Sequence, residues 1–337
     1  MADTPAFSWK VANQMSAPAA VDFETFAPEG DVTFIVNGGT RVRVHSLTMR
    51  CASPVFSTML GPNFMEGQAL ANADANSPIE IALPEEEDAN CFGWICRSLH
   101  CQAATQNWEP TTKQLWTVWT IIDKYRMKNS MQLSVSFWLN KKTKTVSNLE
   151  YLWTLCLICV QNNDSESFKI LTRKLIGSSN MLFDDLASNS RPKSKKFASS
   201  GLAYKLAVKL QNARNEAMNC ALKFFYGELS SNLPARPSLN CTCDSSYSQC
   251  MNRALGADAG ALNVLDPRWS LVEICSYLSA LYEGWDFGRK RSCRYCQGFN
   301  DELKEKISQY RQLEIDGLCL ACFNDETGAP CTSRTKK

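Results

Sequence analysis

The sequence predicts an α+β domain, then a mostly α-helical region, then a small cysteine-rich module, and three observations set that order. Residues 31–45 alternate apolar and polar around an Asn-Gly-Gly turn, the pattern of a hairpin with one wet face. From residue 46 onward the apolar positions recur at helical spacing, interrupted by one further alternating run near residue 80. Nine of the 16 cysteines lie beyond residue 240. The expected boundaries are a tail over 1–27, the α+β domain over 28–142, helices over 143–230 and the cysteine-rich region over 231–337.

Within the first domain, Asp31 opens DVTFIV, which ends in Asn37-Gly38-Gly39, residues that accept the positive φ of a tight turn. The return strand is Thr40 to His45, with Val42 and Val44 on one face and Arg41 and Arg43 on the other. The period then changes. Leu47 and Met49 begin a helical pattern, Ser53 is placed to cap a helix with Pro54 at its first position, and Val55, Phe56, Met59 and Leu60 complete an apolar face before Gly61-Pro62. Residues 78–83 (PIEIAL) read as a short strand. A helix is expected from about Glu85, because the acidic run Glu85-Glu86-Glu87-Asp88 suits the positive end of a helix dipole; Phe92, Ile95, Cys96 and Leu99 would be its buried face. Leu115, Val118, Trp119, Ile122 and Tyr125 mark the next helix, and Met131, Val135, Trp138 and Leu139 the one after.

The order Asp31-Val32, His45-x-Leu47, Ala52-Ser53-x-Val55-Phe56, Met59-Leu60, Ile81-x-Leu83, Phe92 and Ile122-Asp123-Lys124-Tyr125 resembles the BTB/POZ domain over roughly residues 28–142. The resemblance implies a protein-interaction module that forms a homodimer or brings clients to a cullin-RING ubiquitin ligase. It also implies that the His45 ring packs in the core at a strand-to-helix corner and has no catalytic part. Phe64-Met65-Glu66 stands where ligase adaptors of the family carry a hydrophobic-x-Glu signature, which implies a cullin contact; the plain alternative is that Phe64 packs under a loop and Glu66 is solvated. Asp31 stands where dimeric regulators of the family pair an early Asp, in a charged dimer pocket, with a basic residue after the histidine. Here that next residue is Ser46, a departure that speaks against the transcription-factor subtype.

The middle of the chain reads as helices. Ser147 and Glu150 have the spacing of a capping box, and Leu152, Leu155, Cys156 and Cys159 follow as an apolar face. Cys156-x2-Cys159 has a metal-ligand spacing but sits inside an apolar run, so core packing is expected. Asp164 is placed to cap a helix that buries Phe168, Leu171 and Leu175. The basic stretch 188–196 (SNSRPKSKK) reads as a loop. Leu202, Leu206, Leu210, Ala213, Ala217, Ala221 and Phe225 mark a long helix that Gly227 could end.

At the end of the chain, Cys241, Cys243, Cys250, Cys293, Cys296, Cys319, Cys322 and Cys331 make eight thiols, two sets of four, whereas Cys275 falls in a helical pattern and is expected in a core. Two residues between cysteines let both sulfurs reach one ion at about 2.3 Å in tetrahedral geometry, so Cys293-x2-Cys296 and Cys319-x2-Cys322 predict one or two structural zinc ions. The pairing stays open. Residues 300–316 read as a helix about 25 Å long, and the linkers beside it reach at most about 18 Å. Direct pairing therefore needs a shorter or bent helix. Crossed pairing would join Cys241 and Cys243 to Cys319 and Cys322, with Cys250 or Cys331 completing the Cys293–Cys296 site. Four thiolates leave no position for water, which makes the expected site structural. This layout, ending in Gly317-Leu318-Cys319-Leu320-x-Cys322, is also similar to fungal BTB proteins of unassigned activity.

Composition narrows the function classes. Lys+Arg 36 against Asp+Glu 34 leaves a net charge of +2, so no global field favours nucleic acid or an anionic membrane. The longest apolar run, Tyr151 to Val160, is half the about 20 residues needed to span a bilayer. The opening MADTPAFSWKVANQM lacks the basic and apolar regions of a secretory signal, which predicts an intracellular protein of the cytoplasm or nucleus with reduced thiols. No nucleophile–base pair stands out, so the expectation is a non-catalytic interaction scaffold: homodimeric, bound to a cullin scaffold and to protein clients, without nucleic acid or membrane. The alternative is a BTB-containing transcription or chromatin regulator that uses the basic segments and the zinc module; Arg289, Lys290, Arg291 and Arg294 without interleaved aromatics support it weakly.

Overall fold

The computed structural model describes residues 27–73, 76–84, 88–102, 108–189, 200–222, 270–276 and 316–325. These form a mixed α+β protein, mostly helical, with one three-stranded sheet. The chain divides into two compact units, 1–146 with 158–164 and 147–157 with 165–337.

The first unit is built on β1 (Val32–Val36), β2 (Thr40–Val44) and β3 (Ile79–Ala82), in the order β2-β1-β3. Asn37 and Gly38 adopt φ of 49° and 71°, so the hairpin turns where two residues tolerate the left-handed region. β1 and β2 pair antiparallel with Phe34 opposite Val42, and β1 and β3 pair parallel with Phe34 opposite Ile81. A parallel neighbour requires a crossover, supplied here by α1 (Ser46–Ala52), α2 (Pro54–Met59) and α3 (Met65–Leu70). On β2 the period of two is visible in burial, with Val42 and Val44 buried and Arg41 and Arg43 half-buried, whereas on β1 Thr33 is buried along with Val32, Phe34 and Val36. Arg41 forms an ion pair with Glu80 across the sheet.

Four helices complete this unit: α4 (Ala89–Leu99), α5 (Thr112–Lys124), α6 (Lys128–Thr145) and the end of α7 (Leu149–Asn162). Phe92, Ile95 and Cys96 are buried on α4, Leu115, Val118, Trp119 and Ile122 on α5 with Tyr125 after it, and Met131, Val135, Trp138 and Leu139 on α6. Phe56 stacks on Tyr125 at 4.6 Å between ring centroids and lies 5.2 Å from Phe34, which meets Phe92 edge-on at 5.7 Å. This aromatic cluster joins the sheet to α2, α4 and the end of α5, each fully buried side chain contributing about 1.5–3 kcal/mol of transfer free energy.

Several helix ends differ from the sequence expectation, each because a better cap lies nearby. α4 starts at Ala89, one residue after Asp88, whose carboxylate accepts from the Cys91 amide at 2.8 Å; the acidic residues 85–87 lie outside the described residues. Asn148, in place of Ser147, accepts from the Tyr151 amide at 3.1 Å and starts α7. A complete capping box occurs instead at Thr111 and Gln114, at the start of α5.

The second unit contains the start of α7, α8 (Ser165–Ser178), α9 (Phe183–Asn189), α10 (Ser200–Leu222), a helical stretch at 271–276 and α11 (Leu320–Asn324). Phe168, Leu171 and Leu175 are buried on α8, and Leu206, Leu210 and Ala221 on α10. α9 takes residues 188 and 189 into a helix where a loop was expected; 190–199 lie outside the described residues. The helical pattern expected around Cys275 is present: Ser270 and Glu273 cap each other, Leu271 and Ile274 are buried, and Cys275 itself is half-buried.

Residues 316–325 pack on α8. The Leu318 amide donates to the buried hydroxyl of Thr172 at 2.9 Å, Phe323 lies 5.5 Å from Phe168, and Gly317 passes so close to the Lys169 carbonyl that a Cβ there would overlap it. Glycine is required at that approach.

Candidate functional site

The strand-to-helix corner after β2 is organised by Asp31. Its carboxylate accepts from the Ser46 amide at 2.7 Å and from the Ser46 hydroxyl at 2.6 Å, so it caps α1 from outside the helix, where His45 supplies no side-chain cap. Ser46, smaller than a basic residue, thus leaves Asp31 with hydrogen bonds within its own chain. Arg43 donates to the Gly30 carbonyl at 2.9 Å beside it.

The His45 ring does not pack in the core. His45 is exposed and its ring stacks on that of His100, 5.8 Å between centroids and 29° between planes. The reason is local: Ser46 and Met49 fill the buried side of the corner, and the His45 amide donates to Nε2 of His100 at 3.1 Å, which holds its ring at the surface. His100 follows α4, half-buried, with Nδ1 2.8 Å from the Cys96 carbonyl. Burial, chiefly, and the neighbouring His45 push His100 below its ordinary range, against the opposing pull of the Cys96 carbonyl.

Helix α1 turns Leu47 outward, 68% exposed, while it buries Met49. At the start of α3, Phe64 and Met65 are 39% and 67% exposed, whereas Glu66 is only 6% exposed. Gly67 explains the difference, since its backbone lies against the Gly61 carbonyl with no room for a Cβ, bringing that side of α3 inward. The apolar surface at this site therefore belongs to Phe64 and Met65.

Of the eight cysteines expected to bind zinc, Cys241, Cys243, Cys250, Cys293, Cys296 and Cys331 lie outside the described residues. Cys319 precedes α11 and Cys322 lies in its first turn, both half-buried on the segment that packs against α8. Among the described residues no three His, Cys, Asp or Glu side chains gather as a metal site. Cys156 and Cys159 are buried in α7, as expected of core residues, and burial pushes the Cys156 and Cys96 thiols up, away from the thiolate that a metal or a nucleophile requires. Among the described residues, no helix is long and apolar enough to cross a membrane.

No protein-family model, curated protein or solved structure matches the chain.

Proposed function

We propose that the chain is a non-catalytic interaction scaffold whose first unit is a BTB/POZ-type docking domain and whose second unit presents a client. The hairpin, three short helices, parallel third strand and following helices support that reading, as does the place of Asp31, Ser53 and Phe56 in them. The observation that carries it is the outward exposure of Leu47 on α1, whose Met49 is buried, and of Phe64 and Met65 at the start of α3, whose Glu66 is buried. Apolar side chains left in water on a well-packed scaffold favour a protein partner.

In this reading α1 and its neighbours form a homodimer, Asp31 fixes the start of α1 behind that contact, and Phe64 with Met65 meets a cullin. One or two structural zinc ions bind the cysteine-rich region through Cys241, Cys243, Cys250, Cys293, Cys296, Cys319, Cys322 and Cys331. Joining two binding surfaces in one chain raises the local concentration of a client beside the ligase.

Sedimentation of the full chain tests the first contact: a dimer is expected that Leu47→Asp converts to monomer with its circular dichroism unchanged. Wild-type monomer at micromolar concentration would remove the dimer. Titration into purified cullin tests the second, with binding expected that Met65→Asp weakens at least about tenfold, a loss on the order of 1.4 kcal/mol. Absence of binding by the wild type removes the adaptor reading.

A further inference from the structure

The chain has two histidines, 55 positions apart, and the fold lays one against the other. Both nitrogens of His100 are engaged: Nδ1 by the Cys96 carbonyl at 2.8 Å and Nε2 by the backbone amide of His45 at 3.1 Å. A carbonyl can only accept and an amide can only donate. The two partners together therefore define a neutral ring with its proton on Nδ1. Protonation would put a second N–H on Nε2, aimed at the N–H of His45, and a positive charge beside a second imidazole. The contact between the end of α4 and the start of α1 would change from a hydrogen bond to a repulsion.

We propose that His100 is a pH-sensitive latch: neutral, it holds the β2–α1 corner onto the end of α4, and protonated, it releases that corner. What it holds is the first turn of α1, the helix that exposes Leu47. Two influences favour the protonated ring and hence release, because the carboxyl end of a helix favours a cation and the Cys96 carbonyl favours an N–H donor. Burial and His45 outweigh them, burial most of all, so the neutral form is favoured in the folded chain.

Among the described residues, the charged and titratable groups on the surrounding elements are Glu29 and Asp31 before β1, Arg41 and Arg43 on β2, Arg50 and Cys51 on α1, Asp88, Cys91, Cys96 and Arg97 on α4, and Cys101 after it. Asp31 is bonded to Ser46, Arg43 to the Gly30 carbonyl and Arg41 to Glu80, Asp88 caps Cys91, and Arg97 lies over the Trp94 ring. Among the described residues, the neighbouring side chain whose charge acts on His100 is His45. For a histidine lowered on folding, the unfolded chain binds the extra proton first. The latch thus stabilises above the ordinary value of 6.5, and that contribution is lost as pH falls from 6.5 through the folded value.

The test uses the full chain. With only two histidines, ring-labelled protein gives two imidazole NMR signals, assigned by His45→Ala and His100→Gln. The expected results are a His100 midpoint below 6.5 that rises in His45→Ala. In parallel, amide exchange over residues 44–52, corrected for intrinsic rates, is followed between about pH 7.5 and about pH 5.5. Protection there should fall severalfold more than in α5, and His100→Gln, whose amide does not titrate, should abolish the excess. A His100 midpoint at or above 6.5 in the unmutated protein overturns the proposal, as does equal loss of protection in wild type and His100→Gln.

Discussion

Ser53 has no exposed surface, and its one hydroxyl serves two elements: it accepts from the Phe56 amide at 3.0 Å to cap α2 and donates to the Tyr125 carbonyl at 2.5 Å. Removing it breaks the cap and takes a donor from the Tyr125 carbonyl, so Ser53→Ala is expected to cost about 1–3 kcal/mol by urea denaturation. Asp31→Ala should cost about 1–3 kcal/mol for the same kind of reason, since the Ser46 amide and hydroxyl lose their acceptor together. The capping half of Ser53 was legible because Ser-Pro before a helix is a local signal. Its bond to residue 125 was not, because nothing in a sequence pattern pairs residues 72 positions apart. His45 failed for the same reason: the pattern around it marked the corner, but which way the ring turned depended on His100, a partner visible only in the fold.

Helices and strands were easier to read than their ends. The buried faces of α5 and α6 follow the apolar spacing, and the hairpin follows from Asn37-Gly38, whose φ values are a property of those residues. The starts of α4 and α7 shifted because several residues could cap them, and the backbone chose Asp88 and Asn148 by geometry. α9 lacked a signal of its own, being seven residues long beside a polar stretch. Packing between elements supports a prediction: Phe56→Ala removes a ring that touches Phe34, Phe92 and Tyr125 and should cost about 3–5 kcal/mol, read as a lowered urea midpoint with an unchanged slope. Leucine at the same position should restore most of that loss.

At the scale of the molecule, the chain divides after residue 146, and residues 158–164 belong with the first unit, which no composition shift announces. The docking of 316–325 on α8 was also hidden, since Gly317 and Thr172 carry no spacing that links them. Thr172→Val is expected to destabilise the second unit by about 1 kcal/mol. Gly317→Ala should do so by about 1–3 kcal/mol, both measured by hydrogen exchange of α8. If Cys319 and Cys322 hold zinc, chelation will lower protection of α8 as well, and elemental analysis of gently purified protein will count one or two ions per chain; zinc-free protein with unchanged α8 protection removes the metal from this reading.

The Thr172–Leu318 bond spans 146 positions, and this has a consequence for synthesis. While the ribosome is still making the third quarter of the chain, Phe168 and Thr172 have emerged without the segment that will cover them. A message cut short before codon 316 would give a product in which Thr172 and Phe168 lack their partners at 318 and 323.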